Sequence, residues 1–214
     1  MTRRQNVMGG RGSSSGMSGG SGISSFKGAG VRIESDINGL NKALVNKTLN
    51  GVRDTLNEFG IPLNTLNGVG VTDSKKAMAS VNGFGDLSLS RTEYSSKNSE
   101  FKKANHVADS TAYGIGTHEA GHLVSDYAMH KNNKGLSVLE KANMRKSGKW
   151  DRQVLKTAKK MNGGSLSAVS KYGSSSKGKA AHEMVAEGVS EYMRKGKNAS
   201  ATSRAIVKAL KSYL

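Results

Sequence analysis

The chain has 214 residues, a length that suits one domain with a real core and falls short of two average domains. It contains no cysteine, which excludes disulfides, iron–sulfur clusters and thiolate zinc, so any bound metal must be held by His, Asp or Glu. The formal net charge of +17 is uneven: residues 1–130 hold 14 basic against 11 acidic side chains and residues 131–214 hold 19 against 5, so the second half would attract polyanions such as nucleic acid.

Residues 1–30 contain nine glycines and seven serines with scattered Arg3, Arg4, Arg11 and Lys27. Such a stretch buries too little apolar surface to offset its ordering entropy, which predicts a disordered tail over 1–30 and one folded domain over 31–214. The opening Met-Thr-Arg-Arg runs into polar, glycine-rich sequence where a secretory signal would have about 7–15 apolar residues. No later segment reaches the ~18 consecutive apolar residues of a membrane span. The expected setting is the cytoplasm of the producing cell, or a virion, with no membrane partner.

After the tail, Ser35 or Asp36 is expected to cap a helix in which Ile37, Leu40, Leu44, Leu49, Val52, Leu56 and Phe59 recur at spacings near three and four, ending at Gly60. From Leu63 to Arg91 short apolar patches alternate with glycine and asparagine. Val69-Gly70-Val71, Ala79-Ser80-Val81 and Leu87-Ser88-Leu89 are the strand candidates, read as a small, mostly antiparallel sheet. Helical patterns then dominate, at roughly 109–131, 136–146, 149–162, 179–195 and 199–213, with Gly163-Gly164 and Ser174-Ser175-Ser176 as loop punctuation. The order of a helix, a small sheet and a helical run argues for an α+β fold, the sheet packed against a helical bundle.

His118-Glu119-Ala120-Gly121-His122 carries the chemistry. Two histidines four residues apart project from one helix face, so their ring nitrogens can converge on one ion, with Glu119 beside it. Zinc on an open site lowers the pKa of bound water from 15.7 to about 7, and an adjacent carboxylate can take the proton as that water attacks a carbonyl. Glycines at 114, 116 and 121 cost roughly 1 kcal/mol each relative to alanine inside a helix, so the segment serves more than helix formation. Gly121 is expected to keep bulk away from the metal face. A third protein ligand is still required. Glu183, Glu187 and Glu191 recur every four residues on the helix near 179–195, and Glu183 and Glu187 border its apolar stripe, which turns them inward. His106, His130 and His182 have no partner at ligand spacing, and Trp150 is expected to anchor helices in the core.

Tyr172-Gly173, a serine-rich loop and then His182-Glu183-Met184-Val185-Ala186-Glu187-Gly188-Val189-Ser190-Glu191-Tyr192 resemble the Tyr-Gly and Glu-x-x-Ala-Glu stretch of glutamate-type zincins. The pattern is closest to the catalytic domain of anthrax lethal factor, with similar short proteins in phage and prophage clusters. The resemblance spans about 85–195, with motif-level identity around 115–128 and 172–192. It implies a zincin-like fold, a zinc cofactor and cleavage of protein or peptide substrates. Glu183 would be the third zinc ligand beside His118 and His122, Glu119 the general base, and Glu187 the carboxylate orienting a histidine ligand. Tyr172 would hydrogen-bond the developing oxyanion, with Tyr94 and Tyr113 as alternatives because the loop after Tyr172 is longer than in lethal factor. Leu87–Arg91 resembles the edge strand along which an extended substrate would lie. A different class of function, a basic phage-associated structural or nucleic-acid-binding protein built on the same scaffold, is favoured by the charge of the second half and by the Arg/Gly/Ser tail.

Overall fold

The structure is a computed structural model that describes residues 22–75, 77–101, 107–175 and 180–214. Its helices are α1 (Gly22–Gly28), α2 (Lys42–Glu58), α3 (Ala112–Asn132), α4 (Val138–Lys146), α5 (Lys149–Met161), α6 (Lys171–Ser175), α7 (Ala180–Lys195) and α8 (Ala201–Ser212). The strands are β1 (Arg32–Ile33), β2 (Gly68–Thr72), β3 (Ala79–Val81) and β4 (Asp86–Ser90). The fold is α+β, with one small sheet beside a helical assembly.

The expected tail divides in two. Residues 1–21 lie outside the described residues, whereas 22–28 form α1, whose Phe26 is fully buried, so ordered chain begins before residue 31. Helix α2 starts later than its apolar pattern suggests: Ser35–Gly39 is a 3-10 turn, and the Asn41 side chain caps α2 by accepting from the Ala43 and Leu44 amides. Its periodic residues Leu44, Leu49, Val52 and Leu56 are buried, and Gly60 ends the segment at φ 64°.

The sheet corrects the expected mostly antiparallel one. Its order is β1-β2-β4-β3, with β1–β2 and β2–β4 parallel and only β3–β4 antiparallel. Helix α2 supplies the long crossover that a parallel β1–β2 pair requires. Alternation in Leu87-Ser88-Leu89 correctly marks a buried face, since Leu87 and Leu89 are in the core, but alternation carries no strand direction. The assigned edge is also corrected. Residues 87–90 lie in β4, inside the sheet, and β3 occupies the edge, joined to β4 by a turn in which Asn82 Oδ1 accepts from the Phe84 and Asp86 amides.

Helix α3 runs through the centre, between α2 and α7. A Cβ at Gly116 would collide with the Thr48 carbonyl of α2, and one at Gly121 would stand 2.8 Å from the Ala186 Cα of α7. Two of the glycines that weaken the helix in isolation are therefore the points where its neighbours approach closely. Trp150, 2% exposed, anchors α5 and lies 4.9 Å from the Tyr213 ring, as its type and position suggested. No helix among the described residues is long and apolar enough to cross a membrane.

Candidate metal centre

Helix α3 presents His118 and His122 one turn apart, its first turn capped by Thr111, whose hydroxyl accepts the Gly114 amide. Helix α7 crosses it at Gly121 and carries Glu183 into the space between the two rings. Glu183 Oε2 lies 3.2 Å from His118 Nε2 and 3.6 Å from His122 Nε2. Two ligand atoms on a tetrahedral ion, each about 2.0–2.1 Å from it, sit roughly 3.3 Å apart, so these separations fit one small cation. His122 and Glu183 are buried, the His118 side chain is 12% exposed, and Glu183 Oε2 makes no hydrogen bond among the described residues. A buried carboxylate oxygen without a donor is costly unless a positive charge shares its site.

The tautomers agree with that reading. His118 Nδ1 stands 2.8 Å from Glu187 Oε1, and because a carboxylate only accepts, Nδ1 carries a hydrogen and Nε2, which faces Glu183, is the nitrogen left to bind a metal once it gives up its proton. Glu187 Oε2 also accepts from the Ala108 amide at 2.6 Å. Burial would push the Glu183 and Glu187 carboxyls up, but the facing histidines outweigh it and hold both below the usual carboxylate range. Burial, reinforced by His182, lowers the pKa of His122 to about 3, which keeps that ring neutral as a metal ligand must be. At His118 burial also opposes the charged form, but Glu183 and Glu187 win and raise the pKa to about 10. The cluster is thus arranged to hold positive charge, which a bound metal cation would supply. His118, His122 and Glu183 together can hold a metal ion.

Glu119, 7% exposed, sits beside this cluster. Burial raises its pKa, opposed by His118 and by the Val81 amide of β3, which donates to Glu119 Oε2 at 2.8 Å. A cleft of about 320 Å³ opens here, lined by Met78, Ala79, Ile115, His118, Glu119 and Tyr172 among others. The Tyr172 ring, on α6, is 37% exposed and lies 6.1 Å from the His118 ring. Burial and the surrounding Glu183, Glu119 and Glu187 push its phenol up to about 12, so it stays protonated. The alternative tyrosines are engaged elsewhere: Tyr94 is fully buried with its hydroxyl 2.8 Å from Thr48 Oγ1, and the Tyr113 hydroxyl donates to Asp54.

Every residue singled out for the site, His118, Glu119, His122, Tyr172, Glu183 and Glu187, lies in this cleft or in the ligand cluster, near the middle of α3. Gly121 faces α7 and not the metal, which corrects the role expected of it. Glu191 has a structural post, accepting from Lys195, Ser200 and Ser203 and so tying α7 to the start of α8. His130 is exposed at the end of α3, and His106 lies outside the described residues. His182 departs from the expectation of an isolated ring. It stacks on His122 with centroids 3.9 Å apart at 17°, and its Nδ1 faces Asp151 Oδ2 at 3.1 Å. That partner comes from α5, and no spacing in the sequence announces the pair. Compared with protein-family models, with curated proteins and with solved structures, the chain matches none.

Proposed function

We propose that the protein is a zinc-dependent metallopeptidase that hydrolyses peptide bonds, with His118, His122 and Glu183 as zinc ligands and Glu119 as general base. The observation that carries this reading is one undonated carboxylate oxygen, Glu183 Oε2, facing two imidazole nitrogens at 3.2 and 3.6 Å while a further buried carboxylate, Glu119, lines the same cleft. Two histidines and one carboxylate are a donor set that zinc accepts with a coordination position left over. A zinc ion bound there supplies a Lewis acid that activates water near neutral pH.

The chain's own groups do the rest. Glu119 is steadied by the Val81 amide on Oε2, leaving Oε1 to take the proton from attacking water and pass it to the leaving amine. Its raised pKa suits a group that must accept and then release a proton. The Tyr172 phenol, protonated up to about pH 12, donates to the oxyanion that develops on the scissile carbonyl. An extended substrate pairs with β3 at Ala79: Met78 and Asn82 bond inward to β4, so the Ala79 peptide groups face outward to the cleft, while the Val81 amide is held by Glu119 and its carbonyl by Arg145.

The test is zinc content together with cleavage of casein and a broad peptide library, by the purified chain and by Glu119→Gln. Stoichiometric zinc, cleavage by the wild type and none by Glu119→Gln support the reading. Stoichiometric zinc with cleavage by neither form refutes catalysis.

A second, compatible reading has its own observation. Lys149, Arg152, Lys156, Lys159 and Lys160 are all exposed along α5, whose single acid, Asp151, is buried. Such a ridge would bind a polyanion, nucleic acid included, through released counterions. DNA binding that weakens steeply with salt, and is lost in Lys156→Glu/Lys159→Glu, supports it, and salt-independent or absent binding refutes it.

A further inference from the structure

The two ligand histidines are supported by different means. His118 is oriented by donation from Nδ1 to Glu187 at 2.8 Å, the carboxylate–histidine arrangement that fixes both ring angle and tautomer. His122 has no counterpart: its Nδ1 is buried and makes no hydrogen bond among the described residues. An imidazole held only by its own χ angles can swing, and a ligand nitrogen that swings loses affinity. Something else must set the His122 ring.

Two rings confine it. His118 meets it edge-on, with centroids 4.9 Å apart at 87°, and His182 covers its face at 3.9 Å and 17°. The covering ring is itself held. Asp151, 2% exposed, accepts from His182 Nδ1 on Oδ2 at 3.1 Å and from Ser125 Oγ on Oδ1 at 2.7 Å. Ser125 stands three residues beyond His122 on α3, so His122, His182, Asp151 and Ser125 close a loop through α3, α7 and α5. Asp151 is the third residue of α5, in the first turn, where the helix dipole favours a carboxylate. Each member is thus braced from a different helix, and among the described residues the only ring that the brace presses upon is His122, a candidate metal ligand.

Resting on the three-ligand reading of the centre, we propose that Asp151 and His182 are positioning residues for the metal site: Asp151 fixes the His182 ring, and that ring, flat against His122, sets the angle at which His122 offers Nε2. The chain would therefore use a carboxylate to orient one ligand histidine and a stacked, carboxylate-anchored imidazole to orient the other.

The experiment measures zinc affinity by chelator competition, and the visible spectrum of the cobalt-substituted protein, which reports ligand geometry. The full-length wild type is compared with His182→Ala, His182→Phe, Asp151→Asn and His118→Ala. Removing the ring in His182→Ala should weaken zinc about 10–100-fold, as loss of outer support does, and shift the cobalt bands. His182→Phe keeps a flat ring and should recover most of that loss. Asp151→Asn should weaken zinc by a smaller factor and shift the bands in the same sense. If His182→Ala binds zinc within twofold of wild type with unchanged bands, while His118→Ala loses zinc, the positioning pair is overturned and the metal centre stands. If His182→Phe is no better than His182→Ala, stacking is overturned as the means. Should His182→Ala fail to fold, Asp151→Asn decides, because wild-type affinity there overturns the pair. Absence of zinc from the wild type overturns the metal centre and the pair together.

Discussion

Gly121 of α3 lies so close to Ala186 of α7 that an added Cβ would stand 2.8 Å from the Ala186 Cα and 3.2 Å from its carbonyl oxygen. The same crossing carries Glu183 to His118 and His122, so the separation of two backbones sets the separation of three ligand atoms. Gly121→Ala gains about 1 kcal/mol in helix propensity but forces backbone apart, and overpacking of this kind costs roughly 1–3 kcal/mol. The expected outcome is a net loss of stability in urea melts, accompanied by weaker zinc binding. A variant as stable as wild type with unchanged zinc affinity would show that the crossing tolerates a methyl group and does not set the site.

Glu187→Gln tests the support of the other ligand. Glutamine can accept from His118 Nδ1 but carries no charge, and the Ala108 amide at 2.6 Å must face an oxygen or an NH2 group. Zinc affinity should fall about 10–100-fold with the fold intact. Equal affinity in a chelator competition would refute the role. In the wild type, chelation should lower thermal stability, because a ligand present at 100 times its Kd contributes about 2.7 kcal/mol to the native state.

The grouping of the candidate ligands was more legible in the sequence than the architecture. His118, Glu119 and His122 share one helix, so 3.6-residue periodicity alone places them together, and Glu183 and Glu187 follow from the same rule on a second helix. That the two helices meet depends on Gly121 against Ala186, a contact 65 positions apart that leaves no local pattern. Strand direction was hidden for a similar reason: alternation at Leu87 and Leu89 records which face is buried, while the parallel pairings come from the connections, α2 between β1 and β2 and the antiparallel β3 between β2 and β4. His182 looked solitary because its partners, His122 and Asp151, belong to other helices.

Tyr172→Phe separates transition-state stabilisation from metal binding. The ring lies 6.1 Å from that of His118, and the change removes only the hydroxyl. Loss of one oxyanion donor costs about 100- to 1,000-fold in turnover, so kcat for peptide cleavage should drop by that factor while zinc affinity stays within twofold. Unchanged kcat would remove Tyr172 from the proposed chemistry.

Glu191 gives the pH dependence of the fold. Burial raises its pKa, but donation from Lys195 at 2.6 Å, Ser203 at 2.6 Å and Ser200 at 2.7 Å outweighs burial and brings the pKa from an ordinary 4.5 down to about 2. A carboxyl with a depressed folded-state pKa binds protons more readily when unfolded. Its contribution to stability is therefore complete above pH 4.5 and is lost as the pH falls through about 2. Lys195 is 41% exposed, so that ion pair adds little, and the two hydroxyls at the start of α8 carry most of the effect. Glu191→Gln should cost roughly 1.5–3 kcal/mol at pH 7, the usual worth of hydrogen bonds to a charged group. Because the glutamine does not titrate, the gap between variant and wild type should narrow steadily between pH 4.5 and 2 in urea melts taken across that range. A constant gap would mean that Glu191 is not the group that loosens α7 from α8 in acid.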